Sequence, residues 1–296
     1  MDFGNGAELL EICKEQGITI SEVMIKREMA TADLVRSDVI NRMHTAYDIM
    51  KQSIAEALAA PKKSMGGLIG GEAIKMHKRR LTSKPVCGEI SSKAAMYAMG
   101  VLEINASMGM VVASPTAGSS GVIPGTFLAI QEEFGFTDEK MVEALFTAGA
   151  VGYLITRNAA VSGAAAGCQA EVGSASAMAA AAICRLMDAD AKTSLSAAAM
   201  ALSNLLGLVC DPIGGLVEEP CQKRNAIGAS NALISAEIAL SGISFIIPFD
   251  EMVEVMYTVG TNMPVDLRET AMGGIAVAPS VAAIMKDINE KIERHK

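Results

Sequence analysis

Two long stretches of this chain, residues 104–131 and residues 193–210, carry no charge. In water such segments must be buried inside a packed protein or cross a bilayer. Pro115, Pro124 and several serines interrupt the first, and the second is built mostly from Ala and Ser. A membrane span needs about 20 continuous apolar residues, which neither stretch supplies. The expectation is therefore helices buried on nearly all sides, with no membrane span. The composition indicates how they pack: 51% of the residues are hydrophobic, yet only 4% are aromatic, while Ala, Gly and 20 Met are abundant. Small residues let helices approach closely, and methionine fills the irregular gaps between them.

Periodicity extends that reading along the chain. The first sixty residues read as a helical arm. Thr19 to Glu22 fits a capping box, with Ile18 and Val23 placed as a hydrophobic staple. Met43, Tyr47, Met50, Ile54 and Leu58 then step by three or four residues along one apolar stripe, and Pro61 closes the arm. Residues 62–71 (Lys-Lys-Ser-Met-Gly-Gly-Leu-Ile-Gly-Gly) read as a mobile linker, the alternative being a piece of active-site wall. From Ser91 onward helical character dominates. A helix is expected to begin at Thr137 or Asp138, and another at Asp250 with Gly260 as its stop. Only residues 108–113 suggest a strand, and a short one. The expected class is all-α: one mostly helical catalytic domain over residues 61–296, with residues 1–60 as the arm.

Charge and cysteine usage bound the function. A net charge of −8 argues against nucleic acid, whose phosphates need a basic surface. No secretory signal is visible at the N-terminus, so the expected compartment is the reducing cytoplasm. The six cysteines then read as thiols or metal ligands rather than disulfides.

Three segments carry residues suited to chemistry. In residues 208–224, Cys210 and Cys221 bracket a turn containing Asp211, Pro212, Gly214, Gly215 and Pro220, with Lys223 and Arg224 just beyond. The prolines stop either flanking helix from running through, so the loop should hold two thiols near one point. In residues 105–121, Asn105 and the run Ser-Pro-Thr-Ala-Gly-Ser-Ser-Gly lead into a helix from about Pro124. Backbone N–H groups there, with the hydroxyls of Ser114, Thr116, Ser119 and Ser120, suit a small carboxylate; a serine-rich helix cap would look the same. In residues 157–174, Cys168 lies among glycines and alanines that leave room beside it, as close helix packing also would. Cys87 near its turn and Cys184 in an alanine-rich run read as ordinary thiols. The spacing of Cys168, Cys210 and Cys221 matches neither the usual zinc pairs nor ferredoxins, so spacing alone leaves their role open.

Four blocks narrow it. Residues 114–124, 167–173, 206–217 and 219–228 resemble, in order, the iron–sulfur-dependent L-serine dehydratases, in particular the separate alpha chain of the two-chain bacterial form. The resemblance implies a helical catalytic chain that makes pyruvate and ammonia from L-serine, with a beta chain as regulatory partner. It implies that Cys168, Cys210 and Cys221 ligate a [4Fe–4S] cluster. Three thiolates leave one iron open, and an open iron is a Lewis acid for the substrate hydroxyl. Single-chain relatives carry a C-terminal cysteine able to occupy that iron, whereas this chain ends Ile-Glu-Arg-His-Lys. On this reading Asn105, Ser114, Thr116, Gly118, Ser119 and Ser120 bind the substrate. Lys223, Arg224 and Arg157 balance the cluster's charge, and Glu171, Ser119 or Lys63 is the base. Competing readings are a lyase acting on threonine or another small hydroxy compound, and a zinc-bound subunit without activity. A pyridoxal-phosphate enzyme would leave the matched cysteines unexplained.

Overall fold

Every residue of the helix Ser174–Leu186 except Arg185 is buried, as an alanine-rich sequence with no polar face requires. The computed structural model describes residues 2–293, and the rest of the fold is arranged around that helix. In chain order the α-helices are α1 (Gly6–Gln16), α2 (Ile20–Ala32), α3 (Arg36–Ala59), α4 (Glu72–Thr82), α5 (Glu89–Ala106), α6 (Val122–Phe134), α7 (Asp138–Asn158) and the single turn α8 (Gly163–Ala166). They continue as α9 (Ser174–Leu186), α10 (Ala191–Asn204), α11 (Cys221–Leu240), α12 (Phe249–Thr261) and α13 (Pro279–Glu293). The fold is all-α. Helix α9 packs against α7, α10 and α11, while α5 packs against α6 and α11. The α5–α6 approach is close because Gly125 faces α5: a side chain there would begin 2.6 Å from the Ala94 carbonyl oxygen.

The N-terminal segment joins the main core, contributing Phe3 ahead of α1 and Leu9, Val23, Ile25 and Tyr47 from α1, α2 and α3. Thr19 caps α2, its Oγ1 accepting from the Glu22 N–H at 3.2 Å, and Thr137 caps α7 in the same way. Ser21 of α2 hydrogen-bonds Thr147 of α7 at 2.8 Å in the interior. Asp250 reaches back across the chain to the first turn of α1, accepting from the N–H groups of Gly6 at 2.6 Å and Ala7 at 3.0 Å. A carboxylate at a helix N-terminus contributes about 0.3–1 kcal/mol, so this contact mainly fixes where α1 docks.

Residues 108–113 form no strand. Among the described residues the only β-type pairing is an isolated bridge between Cys210 and Arg268, so this short apolar run has no neighbour to pair with. Residues 62–71 also depart from the linker reading, because they are tied down by buried hydrogen bonds. No helix among the described residues is long and apolar enough to cross a membrane. Residues 294–296, part of the C-terminal stretch contrasted above with single-chain relatives, lie outside the described residues.

Candidate functional site

Cys168, Cys210 and Cys221 come from three separate elements, and all are buried and free of disulfides. Cys168 precedes a wide π-type turn, Gln169–Gly173, of the kind often found at functional sites. Cys210 ends the loop after α10, and Cys221 is the first residue of α11. The buried side chain of Gln169 joins the first two elements. Its backbone N–H donates to the Leu208 carbonyl at 2.9 Å, and its Oε1 accepts from the Gly207 N–H at 2.9 Å. Its Nε2 donates to Met256 of α12, also at 2.9 Å.

Arg224 joins the second element to the third. From the first turn of α11 it donates to the Val209 carbonyl at 2.7 Å and pairs with the buried Asp211 carboxylate at 2.8 Å. Both neighbours of Cys210 are thereby tied to the helix that Cys221 opens. Asp211 also accepts from the Ile275 N–H at 2.7 Å. On the other side, Cys210 exchanges backbone bonds with the C-terminal loop: its N–H donates to Leu267 at 2.8 Å, and its carbonyl accepts from Glu269 at 2.6 Å.

The serine-rich loop is brought to the same place. Thr116 Oγ1 donates to Glu171 Oε1 at 2.7 Å. Asn225, fully buried, donates to the carbonyls of Gly118 at 2.7 Å and Cys221 at 2.9 Å, and accepts from the Gly121 N–H at 3.0 Å. Gly163 keeps the centre open. A side chain there would begin 2.7 Å from Cys210 Sγ and 2.8 Å from Glu171 Oε2, so thiol and carboxylate flank one small space.

The electrostatics follow from burial. Burial first, and then the neighbouring Glu171 and Cys221, push the Cys168 thiol up; Arg224 opposes this. Burial, then Cys168, Glu171 and Glu269, push Cys210 up. Cys221 is pushed up to about 12, first by burial and then by Glu171, again opposed by Arg224. Glu171 is raised above the ordinary carboxylate value, first by burial and further by Glu269, against the lowering hydrogen bond from Thr116. Glu171 is therefore no solvated helix-surface carboxylate. Three neutral, buried thiols in one another's field become thiolates readily only when a cation compensates their charge.

The remaining candidates are placed as follows. Ser119 and Ser120 are fully buried; Ser119 Oγ lies 3.2 Å from Thr116 Oγ1, and Ser120 Oγ donates to the Ala117 carbonyl at 2.7 Å. Ser114 Oγ donates to Val112 at 3.4 Å, and Asn105 sits half-buried at the end of α5. Lys63 is exposed on the 62–71 loop. Arg157 is not at the thiols: its guanidinium donates to Tyr153 of its own helix and lies against Gly4. Lys223 turns to Glu219 and Gln222. Cys87 is exposed, and Cys13 and Cys184 are buried in α1 and α9. Among the described residues, no three His, Cys, Asp or Glu side chains gather closely enough to hold a single metal ion. Sequence alone gives Gln169, Asp211 and Asn225 no individual role, since their contacts to Met256, Ile275 and Gly118 are remote in the chain.

Comparison with known proteins points to one family over most of the chain. The family model for the serine dehydratase alpha chain matches residues 15–276. The chain is 46% identical over 286 residues to a probable L-serine dehydratase alpha chain of Bacillus subtilis, covering 97% of this chain and 95% of that one. It is 38% identical over 280 residues to the L-serine dehydratase alpha chain of Peptoniphilus asaccharolyticus, covering 95% and 96%. An L-serine dehydratase of Helicobacter pylori is 33% identical, and there the similarity spans 93% of this chain but 61% of the relative.

Proposed function

The chain belongs to the serine dehydratase alpha-chain family, a family of lyases, and from that premise we propose that it is the catalytic chain of an L-serine dehydratase that forms pyruvate and ammonia. The observation that carries this reading is the convergence of three buried cysteines on a shielded carboxylate, Glu171, held by the serine-rich loop.

The donor set fits a [4Fe–4S] cluster. Cys168, Cys210 and Cys221 would hold it, with Arg224 as the nearby cation and Gly163 leaving the space beside Cys210 clear. When bound, the cluster supplies a Lewis acid that stabilises the departing hydroxide of serine.

Other steps fall to the chain itself. Glu171 takes the α-proton: its raised affinity for protons, caused by burial, makes it a stronger base than an exposed carboxylate. The Thr116 hydroxyl aims that carboxylate. The hydroxyls of Ser119 and Ser120 are engaged within their own loop, which stands beside Glu171 and would hold the substrate carboxylate. Gly118 lies against Glu171, a side chain there beginning 3.1 Å from Oε1. Loss of the α-proton and hydroxide leaves aminoacrylate, which tautomerises and takes up water to give pyruvate and ammonia.

On this reading residues 61–296 are the catalytic part, residues 1–60 an arm packed on it, the compartment the reducing cytoplasm and the partner a beta chain. The test is oxygen-free purification, an iron count, an absorption spectrum and pyruvate release from L-serine, D-serine and threonine. A brown, iron-bearing protein that turns over L-serine is expected. Preference for threonine would move the substrate, and a colourless zinc protein without turnover would remove the reading.

A further inference from the structure

Glu218 lies in the loop between Cys210 and Cys221, its carboxylate buried at 2% exposure. Three donors meet it, all from the glycine-rich loop 154 to 150 residues earlier: Ser64 Oγ at 2.6 Å, the Gly66 N–H at 2.6 Å and the Leu68 N–H at 2.9 Å. Ser64 is itself buried, and its Oγ accepts in turn from the N–H groups of Gly67 at 3.1 Å and Ile69 at 3.3 Å. The loop is thus wound around one hydroxyl and one carboxylate. Gly66 is required by the closeness of the approach, since a side chain there would begin 2.9 Å from Glu218 Oε1 and collide with Leu216.

The two ends of this contact are anchored differently. The Glu218 carbonyl accepts from the Gln222 N–H at 2.9 Å, which fixes Glu218 to the first turn of α11 and so to Cys221. The Met65 N–H donates to the Ala106 carbonyl at 2.9 Å, which fixes the loop to the end of α5, one residue past Asn105. Residues 64–69 therefore span from the end of α5 to the cysteine-bearing loop, and the Glu218 carboxylate holds them at the cysteine end.

We propose that Glu218 is a positioning residue for the substrate site: it holds the 64–69 loop against the cysteine-bearing loop, making the glycine loop one wall of the cleft in which serine reacts. This rests on the dehydratase reading given above. The segment belongs to no helix, and the Glu218 carboxylate takes three of its donors, so removing that acceptor should loosen it even though Ile69 is buried. A closed wall excludes water from the reacting groups and narrows the cleft to a small substrate.

The test uses the anaerobically purified, iron-loaded enzyme with its partner chain, comparing Glu218→Gln and Ser64→Ala with wild type. Iron content, visible spectrum, KM and kcat for L-serine and hydrogen exchange over residues 62–71 are measured. Glutamine at 218 cannot accept all three donors with a charged group, so exchange in 62–71 and KM should each rise about tenfold or more. Iron content and spectrum should stay as in wild type, and Ser64→Ala should give a smaller change in the same direction. Unchanged exchange would overturn the proposal, as would a freed loop with unaltered KM. Loss of iron in Glu218→Gln would also overturn it, because Glu218 would then serve the cysteine loop alone. If Glu218→Gln does not fold, Ser64→Ala decides by the same readouts. Wild-type protein lacking iron or serine turnover would sink the dehydratase reading instead, while the exchange comparison still reports on the loop.

Discussion

The Thr116 hydroxyl donates to the Glu171 carboxylate at 2.7 Å, joining two loops that lie 55 residues apart in the chain. The bond aims one carboxylate oxygen and leaves the other beside Gly163 and Cys210. If Glu171 is the base, Glu171→Gln keeps the shape and removes the proton acceptor. Turnover should fall by about 10²–10⁴ at equal iron content, with KM for serine little changed. Steady-state kinetics normalised to iron would check it; wild-type kcat in the variant would move the role to Lys63 or Ser119.

Iron should depend on each of three residues. Replacing Cys168, Cys210 or Cys221 singly by Ser removes one anchor from a buried set in which every thiol is shielded. Each variant should lose iron, visible absorbance and pyruvate formation together, while far-ultraviolet circular dichroism stays helical. Treatment of wild type with a chelator in air should give the same triple loss. One serine variant retaining full iron and activity is the outcome that removes its cysteine from the ligand set.

Asn225 should matter to stability as well as to binding. Its carboxamide meets the carbonyls of Gly118 and Cys221 and the N–H of Gly121, all within 3.0 Å. Asn225→Ala leaves these groups without their partner, at about 1–3 kcal/mol for each one that water cannot reach. A lower melting temperature and a higher KM for serine are expected together. A drop in melting temperature with unchanged KM would show that the serine loop keeps its place without this amide.

The helices were legible because their signals are local. Thr19 and Thr137 sit where caps belong, and the stripe through Met43, Tyr47, Met50 and Ile54 falls on one helix. The pairing of the serine loop with Glu171 was visible only as two separate motifs, because nothing in either names the other. Asn225, Gln169 and Glu218 drew no individual role: the contacts that define them, to Gly118, Gly207 and Ser64, lie 107, 38 and 154 residues away. Residues 108–113 show the opposite failure. A short apolar run makes a strand only where another strand lies alongside, and none does among the described residues.

The last expectation concerns pH and Glu103, a fully buried carboxyl that accepts from the N–H groups of Gly71 and Ala73 at 2.9 Å each and from Gln222 Nε2 at 3.0 Å. Burial raises it above its ordinary value of 4.5, backbone bonds from Ala73, Gly71 and Glu72 oppose the rise, and the neighbouring Glu72 charge adds to it. The folded chain therefore holds this proton more tightly than the unfolded chain does. Between the two values the unfolded state has already released the proton, so rising pH favours unfolding. The stabilising contribution of Glu103 is complete below 4.5 and is lost as pH climbs through its raised folded value. Glu103→Gln cannot titrate, so subtracting its urea-unfolding free energies from those of wild type isolates the effect from other carboxyls. The difference should shrink as pH rises above 4.5 and then level off. Parallel curves for the two proteins would mean that burial leaves Glu103 as acidic in the folded chain as in the unfolded one.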